Sequence, residues 1–321
     1  MFKIPFFEEI KYSKSILIAG CGGGYDIYSG IPLYILLKSY KKMVFLANYT
    51  FTRIIQIKGQ KVGSHCTVID KDTVLPKIMG HDVFYCPEYD LSKFFYDKKG
   101  WDVPIYTLHP VGPKLLKEAY LELVEKLGID TIILVDGGTD SLLRGDEFGL
   151  GTPKEDITSI VSVNSVPIKK KYLACVGFGT DDRHGVAHYD VLKRIAELIK
   201  KGGFKGCYSL MKEMPEVQSY IDAVYYSNKR TGRLGSYVQN YVVSAISGEF
   251  GDIGSGKSNT RMKQFINPFN SQLWIFDLDK VYDALLYASN IENLSDLGEV
   301  WGQIQRFREK TKTDEKNIIP L

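Results

Sequence analysis

The chain has 321 residues, of which 44% are hydrophobic and 25% are charged, a composition typical of a globular protein with a sizeable buried core. With 41 Lys and Arg against 38 Asp and Glu, the formal net charge of +3 is too even to indicate a polyanion-binding surface, so no nucleic-acid partner is expected. The five cysteines form no C-x-x-C pair, and no apolar run approaches the roughly 20 residues that span a bilayer. These features predict a cytoplasmic protein without a disulfide framework, a structural zinc site or a membrane anchor.

A buried strand leads into a glycine-rich loop near the start of the chain. Ser15 to Ala19 is a short apolar run, Gly20 to Asp26 follows as the loop, and Ile31 to Lys38 is predicted to start a helix. Met43 to Ala47 is predicted to be a second strand. Two weaker strand patterns follow at His65 to Ile69 and Asp82 to Tyr85.

Two later units repeat this arrangement of an apolar strand followed by a polar loop. Thr131 to Val135 is the most strand-like run in the chain, and it opens directly into Asp136 to Ser141. Tyr172 to Val176 leads into Gly177 to Asp182 and then into a helix at Val191 to Lys200. Strands that alternate with helices through short loops predict parallel pairing, and ligands bind such sheets beyond the carboxyl ends of the strands.

The remaining patterns complete one predicted α/β domain over residues 1–306 with an elaborated C-terminal part. Helices are predicted at Gly112 to Gly128, Glu216 to Tyr226 and Gly235 to Ile246, and strands at Gly203 to Tyr208 and Leu273 to Phe276. Residues 307–321 are rich in Lys, Glu and Thr and are predicted to form a frayed tail.

The first loop is a candidate phosphate site. Gly22, Gly23 and Gly24 let backbone amides approach a ligand at a helix N-terminus, and Asp26 follows them. A dinucleotide dehydrogenase is disfavoured, because the spacing is not G-x-G-x-x-G and no acidic residue ends the second strand. A tight turn without any ligand is the structural alternative.

The second loop resembles the S-G-G-x-D-S signature of the ATP pyrophosphatase family, with Asp136 in the place of the first serine. In that resemblance Gly137 and Gly138 open the backbone to phosphate, Asp140 assists a magnesium ion or ribose, and Ser141 donates to a phosphate oxygen. A carboxylate at the first position repels phosphate unless a metal intervenes. An adenylating enzyme therefore stays one alternative.

The segment from Arg144 to Asp156 extends this loop with further acidic residues and glycines. It holds too many turn formers for a regular helix to be expected. Its carboxylates, including Asp146, are either part of a magnesium site, with Arg144 for a ligand anion, or a solvated flap.

The third loop adds Gly177, Gly179 and Asp181, and His184 and His188 follow. Two histidines four residues apart share a helix face and suit a transition metal, but Gly185 weakens that helix. The other interpretation is that one histidine acts as a general acid or base.

One further segment, Gly251 to Ser258, matches G-x-x-x-x-G-K-[ST] letter for letter, and Trp274 to Asp277 looks like a strand that could supply a magnesium ligand. The context disagrees with a phosphate-binding loop of that type, which needs a preceding buried strand and a sustained helix after it. A flexible polar loop is the expected structure.

Four runs together resemble a prokaryotic family catalogued as domain of unknown function 1152: Ala19 to Asp26, Asp136 to Glu147, Gly149 to Pro153, and Asn267 to Leu278. The resemblance implies a Rossmann-like three-layer α/β fold with a doubly wound, mainly parallel sheet. It implies no activity, so function depends on the loops themselves.

The loops predict an enzyme that binds a nucleotide or another phosphorylated small molecule and uses Mg²⁺ for transfer or hydrolysis. The predicted metal ligands are Asp26, Asp136, Asp140 and Asp146, and the predicted catalytic residues are Asp140, Asp146, Arg144 and His184. The predicted ligand-binding residues are Gly22, Gly23, Gly24, Asp26, Gly137, Gly138, Thr139, Ser141, Gly177, Gly179 and Asp181. A non-catalytic nucleotide sensor or partner-binding module is the alternative, and a homo-oligomer is compatible with either.

Overall fold

A computed structural model describes residues 3–77, 83–231, 235–254 and 263–319. The strands within these residues are β1 (Ser15–Gly20), β2 (Met43–Tyr49), β3 (Gln60–Val62), β4 (Cys66–Ile69), β5 (Ile105–Leu108), β6 (Thr131–Gly137), β7 (Lys170–Val176), β8 (Phe204–Ser209), β9 (Gly251–Gly254), β10 (Lys263–Ile266) and β11 (Gln272–Asp277). Nine of them form one sheet in the order β3-β4-β5-β2-β1-β6-β7-β11-β8, and β9 and β10 form a separate antiparallel pair.

The central sheet is mainly parallel, as the sequence predicts. β5, β2, β1, β6 and β7 pair in parallel in that spatial order. Antiparallel strands flank them on both sides, with β4 and β3 beyond β5 and with β11 and β8 beyond β7.

The helices are α1 (Pro5–Glu9), α2 (Asp26–Ser29), α3 (Ile31–Ser39), α4 (Pro87–Lys99), α5 (Pro113–Leu127), α6 (Pro153–Asn164), α7 (His188–Lys200), α8 (Pro215–Thr231), α9 (Tyr237–Ile246), α10 (Leu278–Tyr282), α11 (Ala288–Ile291) and α12 (Leu297–Lys310). In the described part of the chain, none of them combines the length and the apolar character that crossing a bilayer requires.

The sheet is buried on both faces, which gives a three-layer architecture. Alternation along β1 sends Leu17 and Ala19 into one hydrophobic core and Ile16 and Ile18 into the other. The first core includes α5, α6, α7, α10, α11 and α12, and the second includes α1, α2, α3, α4, α8 and α9. This arrangement is the predicted Rossmann-like three-layer α/β fold.

Helix α5 shows how three- and four-residue spacing of apolar residues predicts a helix with one buried face. Its buried residues Leu116, Ala119, Tyr120 and Leu123 lie at three- and four-residue spacings. The helix begins with a proline, whose missing N–H would be unpaired there in any case, and it ends at Gly128 in the left-handed conformation.

Two stretches contradict the sequence expectations on regular structure. The segment that was expected to be irregular up to Asp156 instead begins α6 at Pro153, because proline is well tolerated at the first helical position and acidic residues suit the first turn. Residues 83–86 form no strand, and Asp82 lies outside the described residues.

The prediction that the C-terminal segment is frayed from residue 307 is wrong. Helix α12 continues to Lys310, and the Phe307 ring lies 5.3 Å, centroid to centroid, from that of Tyr287. Beyond the helix, the backbone N–H of Asp314 donates to the Asp146 carbonyl at 2.8 Å, and the Asp314 carboxylate pairs with Lys193. These contacts attach the segment to the rest of the protein.

The order of the strands opens a crevice beside β1. The chain passes from β1 to β2 on one side, whereas β6 adds later on the other side. The loops that follow β1 and β6 therefore leave the sheet in opposite directions, and ligands of open α/β sheets bind at such a point.

Candidate functional site

A cleft of about 620 Å³ lies where the loops after β1, β6 and β7 meet. Its volume is in the range of small-molecule sites. It is lined by Gly22, Gly23, Asp26, Phe51, Asp136, Gly137, Asp140, Gly151, Thr152, Lys154, Glu155, Asp156, Asp181, His184, Val238, Gly298 and Trp301. The three loops that were predicted to lie at the carboxyl ends of the parallel strands do converge.

Three carboxylates form the centre of the cleft. Asp26 begins α2 just after the first loop, Asp136 lies near the end of β6, and Asp156 lies in the first turn of α6. One oxygen from each of them lies within 4.8 Å of the oxygens of the other two. This spacing allows all three to contact one cation.

Two further carboxylates are held in the same cleft by backbone amides. Asp140 Oδ2 accepts hydrogen bonds from the Thr152 N–H at 2.8 Å and from the Thr152 hydroxyl at 3.3 Å. Asp181 Oδ2 accepts from the Thr139 N–H at 2.8 Å. Both side chains are almost fully buried.

The amides that the sequence assigned to phosphate also serve a carboxylate. The Gly22 N–H donates to Asp26 Oδ2 at 2.6 Å, and the Gly137 N–H donates to Asp26 Oδ1 at 3.3 Å. Because these donors point at a side chain of the protein itself, they are not free for a phosphate oxygen. The prediction that Gly22 and Gly137 cradle phosphate is corrected accordingly.

Glycine is required at these positions because carboxylates approach the backbone closely. A Cβ atom on Gly22 would collide with Asp156 Oδ1, and one on Gly151 would collide with Asp140 Oδ2. A Cβ on Gly138 would lie 3.0 Å from both oxygens of Asp181. Glycines at these three positions therefore leave room for the carboxylates that pack against the backbone.

The electrostatics of the cleft disfavour the ionised form of its carboxylates. Burial, reinforced by the other carboxylates, raises the pKa of Asp136, Asp156 and Asp181 well above the usual range. Burial also raises the pKa of Asp140, and it raises that of Asp26 to about 7. A divalent cation would offset this accumulation of negative charge.

The positive groups that line the cleft are few. Lys154 is the single Lys or Arg among the described lining residues, and its ammonium lies 2.9 Å from Glu155 Oε1. Among the described residues, none provides a hydrogen-bond partner for the buried Asp156 Oδ1. An unpartnered carboxylate oxygen inside a cleft is costly unless a ligand or ion satisfies it.

The two histidines have separate environments. His184 lies in a short 3₁₀ turn and lines the cleft, where burial lowers its pKa and favours the neutral imidazole. Gly185, at φ 88°, ends that turn, and His188 begins α7 against the Phe178 ring. The shared helix face for a histidine metal pair is therefore absent, whereas a proton-transfer role of His184 stays a prediction.

Several of the predicted ligand-binding residues support the loops without lining the cleft. Ser141 is buried and donates to Asp136 Oδ2. The Gly24 carbonyl accepts from the Asn48 amide at 2.9 Å, and Gly177 and Gly179 adopt positive φ in the turn after β7. Thr139 presents its N–H to Asp181, as described above. These residues shape the loops, but they are not among the described residues that line the cleft.

Arg144 and Asp146 lie outside the cleft, contrary to the prediction that they take part in the site. The guanidinium donates to both Asp146 oxygens, from Nε at 2.7 Å and from Nη2 at 2.6 Å. The backbone N–H groups of Arg144 and Gly145 donate to the Glu147 carboxylate. This local pairing removes Asp146 from the metal ligands and Arg144 from the ligand-binding groups.

Nine of the residues that line the cleft are not among the predicted site residues: Phe51, Gly151, Thr152, Lys154, Glu155, Asp156, Val238, Gly298 and Trp301. The sequence predicts the carboxylates of the segment up to Asp156 to belong either to a magnesium site or to a solvated flap. The structure places Asp156 in the first turn of α6, where the proline and acidic residues before the apolar run are a helix-start signal. Phe51 follows β2, and Trp301 belongs to α12. No sequence signal connects those two aromatics to the loops.

The segment with the G-x-x-x-x-G-K-[ST] pattern begins as strand β9, which pairs with β10. Residues 255–258 lie outside the described residues. The part that is described is an edge of a two-stranded ribbon and does not line the cleft.

Comparison with known proteins gives a family and no activity. No curated protein and no solved structure matches the chain. A family model described as "Protein of unknown function (DUF1152)" matches residues 101–317, which include Asp136, Asp140, Asp156 and Asp181. Since this match covers most of the chain, the protein belongs to the DUF1152 family.

Proposed function

We propose that the protein is an enzyme that binds a divalent cation, with Mg²⁺ the expected ion, and transfers or hydrolyses a phosphoryl group of a small phosphorylated molecule. The observation that carries the proposal is the convergence of Asp26, Asp136 and Asp156, one oxygen each within 4.8 Å, in a cleft large enough for a ligand. Ionised carboxylates this close repel one another, and a cation between them offsets the repulsion.

The chemistry of the donors selects the type of ion. All three groups are hard carboxylate oxygens, and neither cysteine nor histidine belongs to the described cluster. Such donors suit Mg²⁺, Mn²⁺ or Ca²⁺ better than zinc or copper. A bound divalent cation would supply charge stabilisation to phosphoryl oxygens and activate water.

The protein's own residues provide the remaining groups for such a reaction. The neutral His184 imidazole lines the cleft and can accept a proton from an attacking water or hydroxyl. Asp140 and Asp181, fixed by the amides of Thr152 and Thr139, keep their orientation through these hydrogen bonds. Phosphate binding then depends on the cation, because the amides of Gly22 and Gly137 already hold Asp26.

Binding of Mn²⁺ tests the metal site directly. Isothermal titration of the chelator-treated protein at pH 8 is expected to show one saturable site that Asp156→Asn loses. Asp146→Asn, which removes a carboxylate outside the cleft, is the matched control and should retain the site. Equal loss in both variants, or no binding to the wild type, would contradict the proposal.

Turnover separates an enzyme from a nucleotide sensor. The protein is incubated with ATP, ADP and sugar phosphates in Mg²⁺, and phosphate release and transfer are followed by phosphorus NMR. An enzyme forms product, and Asp140→Asn and His184→Gln reduce the rate while the protein stays folded. A sensor binds one of these ligands in Mg²⁺ and leaves it unchanged.

A further inference from the structure

Two aromatic side chains add apolar surface to the acidic cleft. Phe51 is 52% exposed and Trp301 is 45% exposed, and both line the same cleft as the carboxylates. They come from different parts of the fold, the segment after β2 and the helix α12. Large exposed rings inside a concave site are typical of ligand contact.

The first ring is fixed by the first glycine loop. A Cβ atom on Gly23 would lie 3.0 Å from Phe51 Cε1, and one on Gly24 would lie 3.2 Å from Phe51 Cδ2. The ring therefore lies directly against the backbone of this loop, within the short distance that only glycine permits. Its remaining surface is available to a ligand in the cleft.

The second ring, Trp301, belongs to a helix that buries one face in the core and turns another toward the cleft. Val300 and Ile304 are buried in the hydrophobic core, which fixes the inner face of the helix. Gly298 and Trp301 are three residues apart, and both line the cleft.

We infer that the cleft binds a nucleotide, with the base against Phe51 and Trp301 and the phosphates at the cation between Asp26, Asp136 and Asp156. The inference deepens the proposed function, on whose metal site the phosphate end depends. Inorganic phosphate or pyrophosphate alone would leave the aromatic side of the cleft uncovered. A planar base covers it, because every base presents a π face to an aromatic side chain.

The test compares ADP, adenosine and inorganic pyrophosphate on wild type, Trp301→Leu and Phe51→Leu, all in Mn²⁺. We expect each variant to weaken ADP binding about ten-fold and to leave pyrophosphate and Mn²⁺ binding unchanged. Quenching of tryptophan fluorescence by ADP should disappear in Trp301→Leu. Trp101→Phe, which changes an indole stacked on Phe95 outside the cleft, is the matched control and should keep the quenching.

The outcomes separate this inference from the proposed function. If adenosine binds without a cation and Trp301→Leu abolishes that binding, the base site stands even where the metal site fails. If pyrophosphate binds with Mn²⁺ as tightly as ADP does, the base site is refuted while the metal site stands. Equal weakening of ADP and pyrophosphate by Trp301→Leu also overturns the inference.

Discussion

The stabilisation of this protein by Mg²⁺ should increase as the pH rises from 5 to 8. The prediction depends on Asp26, whose pKa burial raises to about 7 from an ordinary value of 3.8. In the metal-free protein, this carboxyl group is protonated at pH 5 and ionised at pH 8. A cation that binds the ionised form must displace the proton at low pH, so its affinity rises with pH.

The size of the effect follows from the raised pKa. A folded-state pKa above the unfolded-state value means that the folded protein holds the proton more tightly, so metal-free stability falls as the pH rises through this window. For Asp26, the rise in pKa from 3.8 to about 7 lowers the unfolding free energy of the metal-free protein by about 4 kcal/mol once the pH is above 7. If one proton is displaced, each increase of one pH unit, up to pH 7, raises the affinity for Mg²⁺ about ten-fold.

The assay is urea unfolding, followed by circular dichroism, in excess chelator and in Mg²⁺ at each pH. The difference between the two conditions isolates the cleft from other titrating groups. Asp90, with its pKa raised by burial to about 6, contributes equally to both conditions, and so does His109, whose pKa burial lowers. A difference that is constant, or that is larger at pH 5, would refute the reasoning.

Three substitutions test the architecture of the cleft. Gly22→Ala forces a methyl group against Asp156 and should cost about 1–3 kcal/mol of unfolding free energy and weaken Mn²⁺ binding. Gly254→Ala should do neither, because no atom of the described residues lies within 4 Å of the added methyl group. Asp156→Asn should abolish the rise in melting temperature that Mn²⁺ gives the wild type, since it removes one of the three clustered carboxylates; a variant that keeps this rise would contradict the metal site. Arg144→Met should lower stability by about 1–3 kcal/mol through the unpaired Asp146 while Mn²⁺ affinity, measured by calorimetry, stays unchanged.

The fold was predictable because its strands are long apolar runs. Thr131 to Val135 has no polar side chain after its first residue, and burial on both faces of a parallel sheet follows from that pattern. The same logic located the loops, because they follow such strands directly. Short-range sequence information was sufficient for these features.

The detailed site was harder to predict because its contacts are either very local or very distant. Asp146 pairs with Arg144 two residues away, and a sequence pattern cannot show that this pairing excludes the carboxylate from the cleft. Asp156 meets Gly22 across more than a hundred residues, so only the folded chain shows that it completes the cluster. The glycine amides illustrate the same difficulty, since a phosphate and a carboxylate both satisfy them.

The position of α12 affects how the site arises during synthesis. All five aspartates of the cleft precede residue 182, whereas Trp301 is added more than a hundred residues later. Because synthesis proceeds from the N-terminus, the nascent chain presents its carboxylates before the wall that carries the indole exists. In the proposed site, the carboxylates that would hold a cation are therefore made early, whereas recognition of a base by Trp301 must wait until the last long helix has docked.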